Sequence, residues 1–160
     1  MLIQAASRVE AIKKVTIVGQ TYSRGYKQEM AAVFEAIDGT GMEDRVEVVT
    51  DVPHGKMDAY YAAHDLFVLA SSREPFGYSV LEAVGWGIPV ICSDSTGSSH
   101  YVHDGYNGYI FKSNDLNDLV RCLKMAAGSI GKLSENSRKS SRNHDDKSFY
   151  SAFSEIMARR

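Results

Sequence analysis

Cysteine is scarce in this chain: 160 residues contain two, Cys92 and Cys122. Their spacing matches neither a metal-ligand set nor a redox pair, which excludes a cysteine-built centre and suits a reducing compartment. Cys92 falls in an expected strand and Cys122 in an expected helix, so both read as packing residues. An excess of charge of either sign is also missing, with 18 Lys and Arg against 20 Asp and Glu and a net charge of −2. Nucleic acid normally needs a clearly basic surface, so no nucleic-acid partner is expected and any anionic ligand must be held locally. No apolar run approaches the roughly 18 residues that suggest a membrane span. The N-terminus lacks the charged region, apolar core and cleavage site of a signal peptide. A soluble, cytoplasmic chain without a transmembrane segment is expected.

No internal repeat or linker breaks the sequence, and a 44% hydrophobic content can fill one sizeable core. One domain is expected over 1–160, with a core of about 1–127 and a C-terminal helical segment of about 128–160.

Leu2, Ile3, Ala6, Val9 and Ile12 recur at helical spacing before the apolar stretch Val15-Thr16-Ile17-Val18-Gly19. Met30, Val33, Phe34 and Ile37 predict one buried helical face, closed by Gly39 and Gly41. Val46 to Val49 reads as a strand, and Asp51-Val52-Pro53-His54 leads into a helix holding Met57, Tyr60 and Tyr61. Leu66 to Ala70 is a continuous apolar run of the kind a strand buried on both faces shows. Pro89 to Cys92 forms the next strand, followed by a polar, flexible loop over Ser93 to Ser99. Asp115 suits the N-cap of a helix through Leu123, and from Gly128 to Lys147 a polar surface helix and loop is expected. Phe149, Phe153, Ile156 and Met157 return to helical spacing. Strand and helix alternate throughout, which predicts an α/β fold with a doubly wound parallel sheet of about five strands. They begin near Val15, Val46, Leu66, Pro89 and Tyr109.

The stretch that carries chemistry is Arg73-Glu74-Pro75-Phe76-Gly77-Tyr78-Ser79-Val80-Leu81-Glu82-Ala83. Pro75 suits a first helical turn, and Gly77 lets backbone approach a ligand closely. Unpaired amides at the helix start carry about half a positive charge and can hold a phosphate without a dedicated basic side chain. On a helix from Tyr78 to Trp86, Val80, Leu81 and Val84 share a core face, while Tyr78, Glu82 and Trp86 line the opposite one. Glu82 can then accept hydrogen bonds from a pair of hydroxyls such as ribose offers. Two glutamates beside a helix N-terminus are also ordinary favourable charges at the positive end of the dipole.

The string from Glu74 to Ala83, with Gly87-Ile88-Pro89-Val90-Ile91 after it, resembles the Glu-x7-Glu signature of retaining GT-B glycosyltransferases of family 4. Tyr61 to Leu69 looks like that family's strand entry, and Asp104-Gly105-Tyr106-Asn107-Gly108 looks like its Asp-Gly-x-Asn-Gly turn. The resemblance implies the Rossmann-like, donor-nucleotide half of the enzyme. Glu74 would contact the transferred sugar, backbone at Phe76 and Gly77 would help hold it, amides near Tyr78 and Ser79 would face the diphosphate, and Glu82 would hold the ribose. Val52-Pro53 would lie where the base rests, Gly19 next to the donor phosphates and Gly97 beside the donor sugar. It also implies a central first strand carrying an arginine and a lysine, and an N-terminal acceptor-binding domain. Met1 would already lie in the helix after that strand. The partners implied are a nucleotide-sugar donor and a sugar, lipid or protein acceptor. No cofactor and no metal is expected, since no Asp-x-Asp, His-x-x-x-His or cysteine pair stands near the turn.

The chain departs from the family in places. Where the first loop often reads Gly-x-Gly, only Gly19 stands and Thr21 takes the second place, so Thr21 or Ser23 could hydrogen-bond instead, or the loop is a plain connection. The Gly-Gly-x-x-Glu region has Ser98 for one glycine and His100 for the glutamate. His54 reads as a solvated turn residue or an acid-base group. A non-catalytic nucleotide or nucleotide-sugar binding module remains the alternative function. A glycoside hydrolase would need one carboxylic acid kept protonated, whereas a helix start favours the ionised form.

Overall fold

The computed structural model describes residues 1–21 and 25–141, so Ser23 and the segment holding Phe149, Phe153, Ile156 and Met157 lie outside the described residues. Five strands form close to the expected starts: β1 (Val15–Gly19), β2 (Val46–Thr50), β3 (Phe67–Leu69), β4 (Val90–Ser93) and β5 (Gly108–Phe111). Five α-helices alternate with them: α1 (Leu2–Ala6), α2 (Tyr26–Asp38), α3 (Met57–Ala62), α4 (Tyr78–Gly85) and α5 (Leu116–Ser141). Every strand pairing is parallel, as expected of strands joined through helical crossovers.

The strands make two sheets, β1-β2 and β3-β4-β5. A cavity of about 610 Å³ runs between them, lined on one side by Thr16, Ile17 and Val18 and on the other by Phe67, Val68 and Leu69. This is the position at which the family resemblance puts a central strand. His64 spans it at one point, with Nε2 2.9 Å from Thr16 Oγ1 and Nδ1 2.7 Å from the Tyr60 carbonyl. A carbonyl only accepts, so Nδ1 carries a proton and donates it to Tyr60. The run at β3 was expected to be buried on both faces, yet all three residues are only half-buried. Facing the cavity leaves them without the neighbouring strand that their composition anticipates, whereas β4 is fully buried between β3 and β5.

Ile91, Tyr109 and Phe111 pack with Leu119, Leu123 and Leu133 of α5, and Val80, Val84 and Ile88 pack with Val90 and Cys92. Ile3, Val15, Ile37 and Met42 form a third cluster under β1. The α2 face is covered only in part: Ile37 is buried, but Phe34 is 51% exposed. The first helix is also shorter than the spacing through Ile12 suggests, ending at Ala6 and passing into tight turns at Val9 and Ile12.

Asp115 caps α5 as expected, accepting the Asp118 amide at 3.0 Å on its side chain. The helix kinks at Ser129, which has φ −135° and whose hydroxyl donates to the Met125 carbonyl. Beyond the kink, as far as Ser141, one face is exposed as expected, with Lys132, Glu135 and Lys139 on it, but the other is not; 142–147 lie outside the described residues. Leu133, Asn136, Ser137 and Ser140 are buried, with Asn136 Nδ2 donating to the Tyr106 carbonyl and Ser137 Oγ to the Asn107 carbonyl. Short polar side chains let this segment sit against loop backbone and satisfy its carbonyls, so a polar sequence forms an interface. Among the described residues no helix is long and apolar enough to cross a membrane.

Candidate functional site

Gly77 caps α4 with φ 81° and ψ 57°, a left-handed conformation that L side chains disfavour. A Cβ there would also stand 2.8 Å from both Ser98 Oγ and Thr96 Cγ2. The Val80 amide returns to the Gly77 carbonyl at 3.0 Å, while the amides of Tyr78 and Ser79 lie in the first turn with no helical acceptor behind them. The amides of Phe76 and Gly77 are not free as the sequence suggests. Glu74 folds over its own turn, and its Oε1 accepts from both, at 3.3 and 2.9 Å. Phe76 and Tyr78 are exposed, their rings 4.4 Å apart beside that turn.

The segment from Ser93 to Ser99 is not the flexible loop that its composition predicts. Ser93, Thr96 and Ser98 are buried. The Gly97 amide donates to the Glu74 carbonyl at 2.9 Å, the Ser98 amide to the Phe76 carbonyl at 2.7 Å, and the Ser98 hydroxyl to the Gly77 carbonyl at 2.9 Å. Ser93 Oγ lies 2.6 Å from the Ser71 carbonyl, tying the loop base to the end of β3. A side chain on Gly97 would overlap the Pro75 carbonyl, so glycine is needed here for close backbone approach. Gly97 thus sits against the Glu74 turn with its amide committed. Sequence reasoning missed Ser98 as a site residue; the signal was a small polar residue standing where the family has glycine.

Glu82, expected on an open face, is half-buried against α3. Tyr61 Oη donates to Glu82 Oε2 at 2.6 Å, and the Tyr61 ring stacks on Trp86 at 6.4 Å between centroids and 19° between planes. Burial, then the neighbouring carboxylate, pushes the Tyr61 hydroxyl far above the usual phenol range, so it stays a proton donor. Tyr61 lies in the expected helix with Met57 and Tyr60, but its contact with Glu82 across the site is not legible from that helical spacing or from the run into β3.

Gly19, Val52 and Pro53 belong to the ends of β1 and β2, in the other sheet. Among the described residues, a Cβ on Gly19 would meet nothing within 4 Å. Thr21 is not available as a substitute ligand group, because its amide and hydroxyl bond to the two Asp51 oxygens at 2.9 and 2.7 Å. Those bonds, the amide first, hold the Asp51 carboxyl below the usual range. Asp51 itself adopts φ 55°, uncommon outside glycine, and delivers the chain to half-buried Val52 and exposed Pro53. His54 is exposed in the turn that follows. The structure therefore gathers Glu74, Phe76, Gly77, Tyr78, Ser79 and Gly97 into one cluster with Glu82 a turn further on. Tyr61 links that cluster to the helix that Val52-Pro53 leads into.

Among the described residues no three His, Cys, Asp or Glu side chains come together as a metal-ligand group. The donors that the cluster can offer an anion are the Tyr78 and Ser79 amides at the α4 start, since those of Phe76 and Gly77 are engaged by Glu74.

Residues 1–143 match the model of the family described as Glycosyl transferases group 1. The UDP-N-acetylglucosamine–peptide N-acetylglucosaminyltransferase GtfA subunit of Streptococcus gordonii is 30% identical over 102 residues, 62% of this chain and 19% of that protein. The D-inositol 3-phosphate glycosyltransferase of Nocardia farcinica is 30% identical over 120 residues, 75% of this chain and 26% of its own length. Among solved structures, Anabaena HepE in complex with UDP superposes with a TM-score of 0.84 at 21% identity, over 99% of this chain and 44% of that one. The lipopolysaccharide outer core galactosyltransferase WaaB superposes at 0.80 with 20% identity, again over 99% and 44%. These likenesses show a Rossmann-like GT-B fold, of which this chain spans less than half the length of each relative. With its parallel α/β architecture and a family match covering residues 1–143, the chain belongs to the group 1 glycosyltransferases.

Proposed function

We propose that the chain is the donor-binding part of a retaining, family 4 glycosyltransferase, which moves a sugar from a nucleoside diphosphate to a sugar, lipid or protein acceptor. The observation that carries this reading is the first turn of α4, where the Tyr78 and Ser79 amides and the Glu74 carboxylate stand together. In it, those amides face the diphosphate, Glu82 holds the ribose, Val52-Pro53 borders the base and Gly19 lies by the phosphates. Glu74 contacts the transferred sugar with Gly97 beside it, and the Phe76 and Gly77 amides pass from Glu74 to the sugar when the donor enters. Catalysis is electrostatic stabilisation of the departing diphosphate, with no nucleophilic side chain from this chain. Charge neutralisation by amides makes a metal ion and a cofactor unnecessary. An N-terminal GT-B domain supplies the acceptor site, and the protein works in the cytoplasm.

As the isolated 160-residue chain it binds its donor weakly and transfers no sugar. The edges of β1 and β3 that face the cavity support this point. By resemblance, a strand between them carries an arginine and a lysine to the diphosphate, worth roughly 1.5–3 kcal/mol each. Without them a micromolar site falls toward the millimolar range. The open cavity also favours a second reading, a module that binds nucleotide without chemistry.

Titration of the chain with UDP, the nucleotide bound in the HepE structure, tests the placement by NMR. Millimolar binding with shifts centred on Gly77 to Glu82 is expected. Micromolar binding centred elsewhere overturns it. Sugar transfer by a longer form that adds the acceptor domain separates the enzyme from the module.

A further inference from the structure

We infer that Tyr61 is a positioning residue for the nucleotide: its hydroxyl sets the Glu82 carboxylate in the orientation that receives the ribose hydroxyls. The inference rests on the ribose role proposed for Glu82. The bond joins α3 to α4 across 21 residues of sequence, at 2.6 Å. Tyr61 is 6% exposed, and its ring is fixed by Trp86 and by Phe67, 6.1 Å away between centroids. The ring needs no hydroxyl for that packing. The hydroxyl instead reaches the end of a flexible glutamate side chain that α4 alone leaves free to rotate.

A carboxylate offers about four lone-pair sites. Tyr61 takes one on Oε2, and Oε1 has no protein partner among the described residues. Enough acceptor capacity remains for two vicinal hydroxyls, and the plane of the carboxylate is already set. Holding it before the ligand arrives removes an ordering cost from binding, in the way preorganised sites gain affinity. Burial and the Glu82 charge keep the phenol protonated, so the donor is present across the neutral range. Since α3 follows directly on Val52-Pro53 and the turn at His54–Lys56, the same bond ties the base-side segment to the ribose-side glutamate.

The test compares UDP with 2′,3′-dideoxy-UDP, by NMR titration of the full chain as wild type, Tyr61→Phe and Glu82→Ala. Wild type should prefer UDP, and Glu82→Ala should abolish the preference. Tyr61→Phe should cut the preference by about 3- to 10-fold, the range for one side chain left to be ordered on binding, and leave affinity for the dideoxy nucleotide unchanged. In the Glu82→Ala background Tyr61→Phe should have no further effect on the ratio. If Tyr61→Phe lowers both affinities equally, Tyr61 only packs α3 and the inference fails. An unchanged ratio in Tyr61→Phe overturns it too, while Glu82 retains its role. A ribose preference that survives Glu82→Ala, or is absent from the wild type, overturns the ribose reading and this inference with it.

Discussion

The Gly77 amide donates to Glu74 Oε1 at 2.9 Å, so the glutamate proposed to meet the sugar closes its own turn. Glu82, eight residues on, is engaged by Tyr61 and takes no part in that turn. The two carboxylates are thus held separately, and their removal should have separate effects. In a longer form that adds the acceptor domain, Glu82→Ala should weaken UDP binding by about 1–3 kcal/mol, the cost of removing a charged hydrogen-bonding partner. Glu74→Ala should spare it. Titration calorimetry with UDP alone checks the division, and equal losses from both variants would rule out distinct ribose and sugar roles.

Gly77→Ala should destabilise the fold more than Gly105→Ala. Both glycines have positive φ, 81° and 73°, so an alanine is strained at either. That strain is about 1–3 kcal/mol for a forced left-handed residue. Only at Gly77 does the new methyl also collide at 2.8 Å with atoms of buried Ser98 and Thr96; at Gly105 the nearest atom is 4.0 Å away. Urea midpoints measure the difference. Equal shifts would mean that the packing of the 96–98 loop on the α4 start contributes nothing.

Alkaline solution should destabilise the chain through its two thiols. Burial pushes Cys92 up to about 12 and Cys122 up to about 11, with the neighbouring Cys122 adding to the rise at Cys92. An unfolded thiol titrates near about 8.5, so between there and the folded values the native state binds more protons than the unfolded one. Stability from this source is complete below about pH 8.5 and falls as pH rises through that window. Denaturation at pH 7.5 and pH 10 should show the loss, and Cys92→Ala with Cys122→Ala should flatten the slope. A slope unchanged in the double variant would assign it elsewhere.

Chelation should leave UDP binding unaltered, because amides at the α4 start carry the charge neutralisation in this account. Abolition of binding by EDTA, restored by a divalent cation, would show the diphosphate account to be wrong.

Local patterns determined most of the architecture. Strands begin at Val15 and Val46 where the apolar runs start, α4 begins at Tyr78 after the Pro75 and Gly77 signals, and Asp115 caps α5. Each follows from periodicity or from a backbone preference within a few residues. The Glu-x7-Glu stretch was legible for the same reason, since one helix start contains all of it. Tertiary structure alone decided how the parts meet. Tyr61 and Glu82 are 21 residues apart, Thr21 and Asp51 are 30 apart, and Ser137 and Asn107 are 30 apart. Hydrogen bonds between such partners depend on strand order and on where each helix docks, which a local period does not encode. The pairing of β3 has the same origin: its apolar run specifies a strand suited to neighbours on both sides, but which segment lies at each edge is settled only when the sheet assembles.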